Sequence, residues 1–375
     1  AVIPHEFGAV AQHYYTTMKD HDSTEGKTYA REICNPMVTK PFLFPLANKS
    51  TDASMIMHRI EAKSISTMQP EKDTKYLNDY TNWFVGDLAD TGEPYSIETL
   101  REHHRLAKQQ RRLDLYGTRW GGPERATIRG MPFMKKEAVP PGPARVIMSV
   151  DAASLTEGAQ LSKPVQHNVT KQYEWSTSGD NGKEVEEKVS AVLRAAIKRG
   201  CDVLVTDYSS YDASQSQHHR ACQRAIFKKY YRKRFHKMID KYYDNVATHK
   251  AGFRNGLKYR YNSGTVTGLD DTGDRNFETQ FRSVYLALRM MGFSHDEAIE
   301  IEAIMLGDDG FVVNWSRTVT KGDGSTETYY LKDFLESVAH DFGLTLKCST
   351  VDPKGPVEFC SRYFYGGLLD PDSTN

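Results

Sequence analysis

Apolar residues recur along this chain in two distinct periods. Short apolar runs bounded by turn residues mark strands: Asp202–Thr206 reads Asp-Val-Leu-Val-Thr, a short buried strand. Ile304-Met-Leu306 and Phe311-Val-Val313 flank Gly307-Asp-Asp-Gly310, which predicts a β-hairpin with an acidic tip. Lys321-Gly-Asp-Gly324 predicts a second turn. Helical spacing is clearest for Phe277, Phe281, Val284 and Leu288, in a helix beginning near Thr272 with Gly292 at its end. Other helices are expected from Ser96, as N-cap, to about Leu115 before Gly117, and over 183–198 after the turn Asp180-Asn-Gly182. A long one should follow Asp212 through Ala221, Ala225, Ile226 and Tyr230, and another should run from Asp333 to Phe342 before Gly343. Ser294-x-x-Glu297 is a capping box. Residues 117–131 read as a Gly-rich loop, Pro140-Pro-Gly-Pro143 as a rigid bend, and residues 1–95 give the weakest pattern. Strands alternating with helices in this way predict an α+β fold, a small sheet backed by helices.

Composition narrows the class. The chain has 375 residues, 39% of them hydrophobic, enough for a large core in two or three compact units. The mean hydropathy is −0.61, and no run approaches the ~18 apolar residues of a membrane span. No signal-peptide pattern is present. The five cysteines are scattered and form no Cys-x-x-Cys pair, which favours a reducing compartment without structural zinc, although His219-x-x-Cys222 offers two ligands. Net charge is zero, but its distribution is uneven. From His219 to Arg260 there are 13 Lys or Arg against Asp240 and Asp244 alone, and Arg101 to Arg112 is a second basic stretch. Each is either a solvated helix face or a wall for a phosphate backbone.

The candidate chemistry lies in one ordered series. Asp207-Tyr-Ser-Ser-Tyr-Asp212 comes first, then Ser263-Gly264 with Thr272 and Asn276, then Gly307-Asp308-Asp309, then Lys347, then Phe359-Cys-Ser-Arg-Tyr-Phe364. Lys135-Lys-Glu137 and Arg145 lie upstream. Each piece alone is common; Asp207 reads equally as a helix cap and Asp308-Asp309 as a polar turn. A strand-end carboxylate and a hairpin-tip carboxylate on adjacent strands suit a different task. They could hold two divalent cations, roughly 3.5–4 Å apart, for phosphoryl transfer. No Gly-x-x-x-x-Gly-Lys-Ser/Thr loop is present to support another class of NTP-binding enzyme.

In this order the motifs resemble the fingers and palm of RNA-dependent RNA polymerases of positive-strand RNA viruses, over about residues 130–366. Asp207 and Asp212 match motif A and Gly307-Asp308-Asp309 matches motif C; Asp-Asp-Gly and Phe-Cys-Ser-Arg-Tyr-Phe also resemble nodavirus replicases. The resemblance implies roles residue by residue. Asp207 and Asp308, supported by Asp309, would bind two Mg²⁺ (or Mn²⁺). Asp212 would sense the ribose 2′-hydroxyl, Asn276 would partner it, and Ser263-Gly264 would begin a flexible loop near the template base. The family spacing Ser-Gly-x-x-x-Thr-x-x-x-Asn is four residues longer here, so either the loop is extended around Thr272 or Thr267 takes the threonine's place. Lys136 and Arg145 would contact the triphosphate and Lys347 would protonate pyrophosphate. Phe359, Ser361 and Arg362 would form the primer grip.

The implied organisation is fingers over 1–200 with the basic motif at 133–147, palm over 201–212, a fingers insertion over 213–262, palm again over 263–366, and the start of a thumb over 367–375. The lack of an initial Met and the ending just beyond the last motif make a piece of a longer polymerase the expectation. Partners would be RNA template and product, NTPs and other replicase regions, in a replication complex of the host cytoplasm. Two readings compete, a reverse transcriptase-like palm enzyme and a non-catalytic RNA-binding descendant. Asp212 opposes the first, because reverse transcriptases generally place a bulky residue there; the intact carboxylates oppose the second.

Overall fold

The computed structural model describes residues 14–15, 44–45, 49–56, 74–104, 106–119, 129–135, 144–247, 249–254, 256–261, 264–360 and 362–366. The expectations for Lys136, Glu137, the Pro140–Pro143 bend, Ser263, Ser361 and the thumb start at 367–375 fall outside them.

The N-terminal third contributes a two-stranded pair, β1 (Tyr14–Tyr15) and β2 (Phe44–Pro45), and helices α1 (Lys49–Met55) and α2 (Thr74–Val85). The helix expected from Ser96 is in fact two, α3 (Ile97–His103) and α4 (Ala107–Arg119), and it runs through Gly117. Ser96 does cap it, accepting from Thr99 N at 3.0 Å. The break follows from Gln110, whose side-chain amide donates to the carbonyls of Arg101 and His104 (2.6 and 2.5 Å) and so replaces backbone donors at the end of α3. Part of the expected 117–131 loop is also regular. Strand β3 (Arg129–Met134) pairs from Gly130 to Met134 with β4 (Val146–Val150). Pro132 is tolerated because the other neighbour of β3 pairs only with Arg129 and Gly130.

Helix α5 (Ala152–Asn168) is capped by Asp151, which accepts from Ser154 N at 3.0 Å. It contains Pro164, which has no N–H for the carbonyl of Gln160. Tyr95 N takes that carbonyl instead (3.0 Å), and the Gln160 amide returns a bond to Tyr95 O (2.9 Å). Helix α6 (Gly182–Arg199) begins with a full Asn181–Glu184 capping box and ends at Gly200 in the left-handed region (φ 64°). Strand β5 (Val203–Tyr208) leads into the short α7 (Tyr211–Ser214), α8 (Gln217–Tyr230) and α9 (His236–Ala247), then β6 (His249–Gly252) and β7 (Lys258–Tyr261). These last strands join the first pair in a sheet ordered β4-β3-β6-β7, with β3 and β6 parallel.

Helix α10 (Thr272–Met290) is followed by α11 (His295–Ile299), with its predicted Ser294–Glu297 box. The predicted hairpin is β8 (Ala303–Leu306) and β9 (Asp309–Val313). An exposed ribbon of β10 (Ser316–Thr320) and β11 (Thr326–Tyr330), α12 (Leu331–Asp341), β12 (Leu346–Val351) and a hairpin of β13 (Pro356–Phe359) and β14 (Arg362–Tyr365) complete the described chain. The central antiparallel sheet runs β12-β5-β9-β8. Leu204 on one face packs into the main core; Val203, Ile304, Phe311 and Val313 on the other pack against Val189, Val192, Leu193 and Ala196 of α6. Burying both faces is why these strands read as continuous apolar runs.

Helix α10 is buried nearly all round, polar residues included: Arg275, Glu278, Gln280 and Arg282 are each at most 5% exposed. Its charges are paired. Arg275 bonds Asp271 through Nε at 2.6 Å, and Arg282 lies 3.3 Å from Glu278. Helix α8 corrects the sequence reading: Ala221 and Ala225 are exposed, while His219, Arg220 and Gln223 are buried with Ile226 and Tyr230. Arg282 donates to His219 Nδ1 (3.1 Å), whereas Cys222 lies near His218 (3.6 Å), so His219 and Cys222 do not converge on a common ligand. Burial, reinforced by Arg282, holds the His219 imidazole neutral, well below its usual pKa.

Candidate active site

The first carboxylates are placed by strand pairing. Asp207 is the penultimate residue of β5 and is exposed. On one side β5 pairs with β9, Thr206 opposite Gly310, which brings the Gly307-Asp308-Asp309 tip beside the end of β5. The tip turns at Gly307 (φ 64°), a conformation that suits glycine. On the other side β12 sets Lys347 directly opposite Asp207. Antiparallel partners share a face, so the ammonium and the carboxylate project from the same side.

The second carboxylate lies one helical turn further on. Asn276 Nδ2 donates to Asp212 Oδ1 at 2.7 Å, joining α10 to α7. Gly264, with φ 78°, donates to Gln215 O, and Thr265 N donates to Asp212 O, both at 2.6 Å. The loop before α10 is thereby laced to the turn that carries Asp212. Thr267 lines the same cleft as Asp212 and acts to lower its pKa. Thr272 turns inward instead, donating to Val266 O at 2.7 Å. Of the two candidate threonines, Thr267 is the one at the cleft. Burial and the neighbouring Asp308 carboxylate raise the Asp212 pKa, while Asn276, Thr267 and Arg145 oppose them.

These groups line one cleft of about 650 Å³. Asp212, Asn276, Thr267 and Asp308 form one wall and the floor; Lys135, Arg145 and Ile147 of the β3–β4 hairpin form the other. Lys135 N donates to Arg145 O at 2.9 Å, which extends the β3–β4 ladder and holds both cations at its mouth. The wall also approaches the loop closely: a Cβ on Gly268 would lie 1.8 Å from Met148 O, so only glycine fits there.

The β13–β14 hairpin divides the expected primer grip. Arg362 is exposed, but Phe359 is 3% exposed and packs with Val357 in the second core cluster, so it is out of reach of RNA. Between them Cys360 occupies the left-handed region (φ 52°). Its thiol lies beside the Asp309 carboxylate and is pushed up to about 12 by burial and by Asp309. Burial, then Asp308 and Asp207, raise the pKa of Asp309, and Cys360 pulls against them.

Asp207, Asp308 and Asp309 are exposed oxygen donors lying in one another's field, the donor type that hard divalent cations take. Among the described residues no three His, Cys, Asp or Glu side chains close around one point. No helix among the described residues is long and apolar enough to cross a membrane.

Several cleft residues escape the sequence pattern. Tyr208 and Tyr211 are packed behind the site with ring centroids 4.3 Å apart, and Tyr211 Oη donates to Asn276 O at 2.9 Å. Gln215, 1% exposed, donates to Asn276 Oδ1 at 2.6 Å. Lys135, which reads equally as a surface lysine in the sequence, lies on the cleft wall. Four cations of the basic stretch after His219 are paired: Arg224 with Asp240 and Asp244, Lys228 with Asp240, and Arg232 and Arg234 with Glu93.

No family model matches the chain. It is 27% identical over 383 positions to the RNA-directed RNA polymerase of Greasy grouper nervous necrosis virus, covering 99% of this chain and 36% of that protein. Identity to the corresponding protein of Striped jack nervous necrosis virus is 26% over 381 positions, with the same coverage. The chain therefore spans about a third of the length of these curated relatives. Among solved structures it is similar to the RNA-dependent RNA polymerase of a human picorbirnavirus: TM-score 0.61 and 11% identity, covering 89% of this chain and 64% of that one. An insertion-loop deletion mutant of that enzyme gives TM-score 0.61 and 12% identity, covering 87% and 65%. The chain has the fold of the viral RNA-dependent RNA polymerases and is homologous over nearly its whole length to the nodaviral proteins.

Proposed function

We propose that this chain is the nucleotide-adding centre of a viral RNA-directed RNA polymerase, which joins NTPs to an RNA 3′-hydroxyl on an RNA template. The observation that carries this reading is the Asp212–Asn276 pair, 2.7 Å apart, in the wall of a cleft that also holds Asp308 and two cations. A carboxylate oriented by an amide and set beside metal-ligand candidates suits a ribose with a 2′-hydroxyl. It does not suit a deoxyribose.

Asp207 and Asp308, with Asp309 beside them, would hold Mg²⁺ or Mn²⁺. Two such ions, when bound, lower the pKa of the attacking hydroxyl and neutralise charge on the leaving group. Arg145 and Lys135 face the triphosphate, Arg145 as a planar fork of donors; Lys136 has the same role in this reading. Gly264 belongs to the loop beside the template base and Arg362 to a hairpin beside the product strand; Ser263 and Ser361 have the same roles in this reading. The 3′-oxygen forms a bond to the α-phosphorus as the bond to pyrophosphate breaks. Lys347, on the same face as Asp207, supplies a proton to the pyrophosphate oxygen as a general acid. In this reading the β12-β5-β9-β8 sheet is the palm and the β4-β3-β6-β7 sheet the fingers, with boundaries near residues 200, 212, 262 and 366. RNA, NTPs and other replicase regions are its partners, in a host-cytoplasmic replication complex.

The test is nucleotide incorporation on a primed RNA template with Mg²⁺, by the protein and by Asp308→Ala. Template-dependent RNA from the first alone, with RNA binding retained by both, is the expected result. Equal incorporation by both would overturn the reading.

A further inference from the structure

Behind the ribose-facing pair lies a buried chain of hydrogen bonds with a single direction. It starts at a backbone carbonyl, that of Arg275, which can only accept. Gln223 Nε2 donates to it at 3.3 Å and to Thr279 Oγ1 at 3.1 Å. The Thr279 hydroxyl then donates to Gln215 Oε1 at 3.4 Å. That fixes which way the Gln215 amide faces, and its Nε2 donates to Asn276 Oδ1 at 2.6 Å. Asn276 is left with its own amide nitrogen toward Asp212, and it donates at 2.7 Å. Gln215, Gln223 and Thr279 are all at most 2% exposed, and Asn276 is 6% exposed. Solvent therefore cannot substitute for any link, and reversing one amide would set acceptor against acceptor along the chain.

We propose that Gln215 is a specificity-positioning residue: through the directed chain Gln223–Thr279–Gln215 it sets the orientation of Asn276, and so leaves Asp212 as an acceptor for a ribose hydroxyl. This rests on the nucleotide-adding role proposed above. Gln215 does not touch substrate. It acts by excluding the flipped Asn276, whose carbonyl oxygen would face the Asp212 carboxylate and whose amide nitrogen would turn away from the cleft. Its position three residues after Asp212 puts it on the turn whose carbonyls already accept from Gly264 and Thr265, so the loop and the amide are registered by the same segment.

The experiment measures kcat and KM for an NTP and for its 2′-deoxy analogue. It uses the protein, Gln215→Glu, Gln215→Met and Thr279→Val. Gln215→Glu removes the donor and draws the Asn276 amide nitrogen away from Asp212. Gln215→Met removes both polar atoms at nearly constant length, and Thr279→Val cuts the chain one link upstream. The expected result is a fall of about tenfold in the NTP-over-dNTP ratio for Gln215→Glu, the size of one lost hydrogen bond to a charged group. It should arise from a raised KM for the NTP, with dNTP incorporation retained, and smaller falls should follow in the other two variants. Retained dNTP incorporation reports that the site is folded. An unchanged ratio in any variant at residue 215 that still makes product overturns the proposal, and so does an equal loss for both substrates, which is what a merely structural role gives. Absence of RNA synthesis by the unsubstituted protein would instead refute the nucleotide-adding reading itself.

Discussion

The side-chain amide of Gln280 donates to the hydroxyl of Thr206 at 2.6 Å, and this bond from α10 to β5 passes directly over Gly310. A Cβ at residue 310 would sit 1.9 Å from Gln280 Nε2 and 2.5 Å from Thr206 Oγ1. The glycine after Asp308-Asp309 thus lets the acidic hairpin lie flat against β5. Gly310→Ala must either break the bond or lift the hairpin. We expect a loss of about 1–3 kcal/mol in stability, the usual range for overpacking, measured by denaturant unfolding. Gln280→Ala in the same chain should restore part of it. No change in either would mean the hairpin is not seated by this contact.

Lys347 stands opposite Asp207 on an exposed edge strand. As a general acid it should matter for turnover more than for binding. Lys347→Leu is expected to reduce kcat by about 10²-fold, at the lower end of what proton donation contributes, with KM for NTP nearly unchanged. Stopped-flow incorporation kinetics would decide this; a KM effect alone would reassign Lys347 to substrate binding.

Asp212 differs in kind, because it lines the cleft and is oriented by Asn276. Asp212→Ala should keep RNA synthesis but reduce preference for NTP over dNTP by about tenfold or more, the value of a hydrogen bond to a carboxylate. Competition between the two substrates on one template measures it directly, and an unaltered preference would remove Asp212 from ribose selection.

Asp274, on the first turn of α10, has its pKa raised to about 7, chiefly by burial, with Asp271 adding to it and Lys163, Gln166 and Ser178 opposing. In the unfolded chain the same group titrates near 4. Between these values the folded state holds a proton that the unfolded state has lost. The stabilisation from this group is therefore full below pH ~4, declines as pH rises through 7, and is absent above it. Asp274→Asn should flatten the stability profile over that window and stabilise the fold at pH 8. Thermal melts at several pH values, compared with the unsubstituted protein, would show it; parallel profiles would contradict the assignment.

The strand end and hairpin tip that carry the candidate carboxylates are more legible than the packing around them. Asp207 and the Asp308-Asp309 tip could be read because strand ends and hairpin tips carry local signals, apolar runs and turn residues that tertiary structure did not override. Asn276 was legible through its spacing from Thr272, yet the same spacing misdirected attention to Thr272, which bonds Val266, while Thr267 lines the cleft with Asp212. Gln215, Gln223 and Thr279 were not legible. A polar residue on a helix reads as solvent-facing, and only packing of α8 on α10 turns these into an interior network. The same packing exposed Ala221 and Ala225 against expectation. Phe359 was misplaced for the converse reason, since an aromatic on a short strand gives no sign of which face is buried. The first three residues of β3 read as loop because they close the Gly-rich stretch 117–131.

The contact of Gly268 with the carbonyl of Met148 is backbone against backbone, with no side chain between to yield. Strand β4 and the loop that precedes α10 are therefore one mechanical body. The cleft beside them cannot widen by drawing these two apart without opening that contact. Any opening that keeps the contact carries wall and loop together, which makes the residue at 268 a determinant of the cleft's shape as well as of the fold.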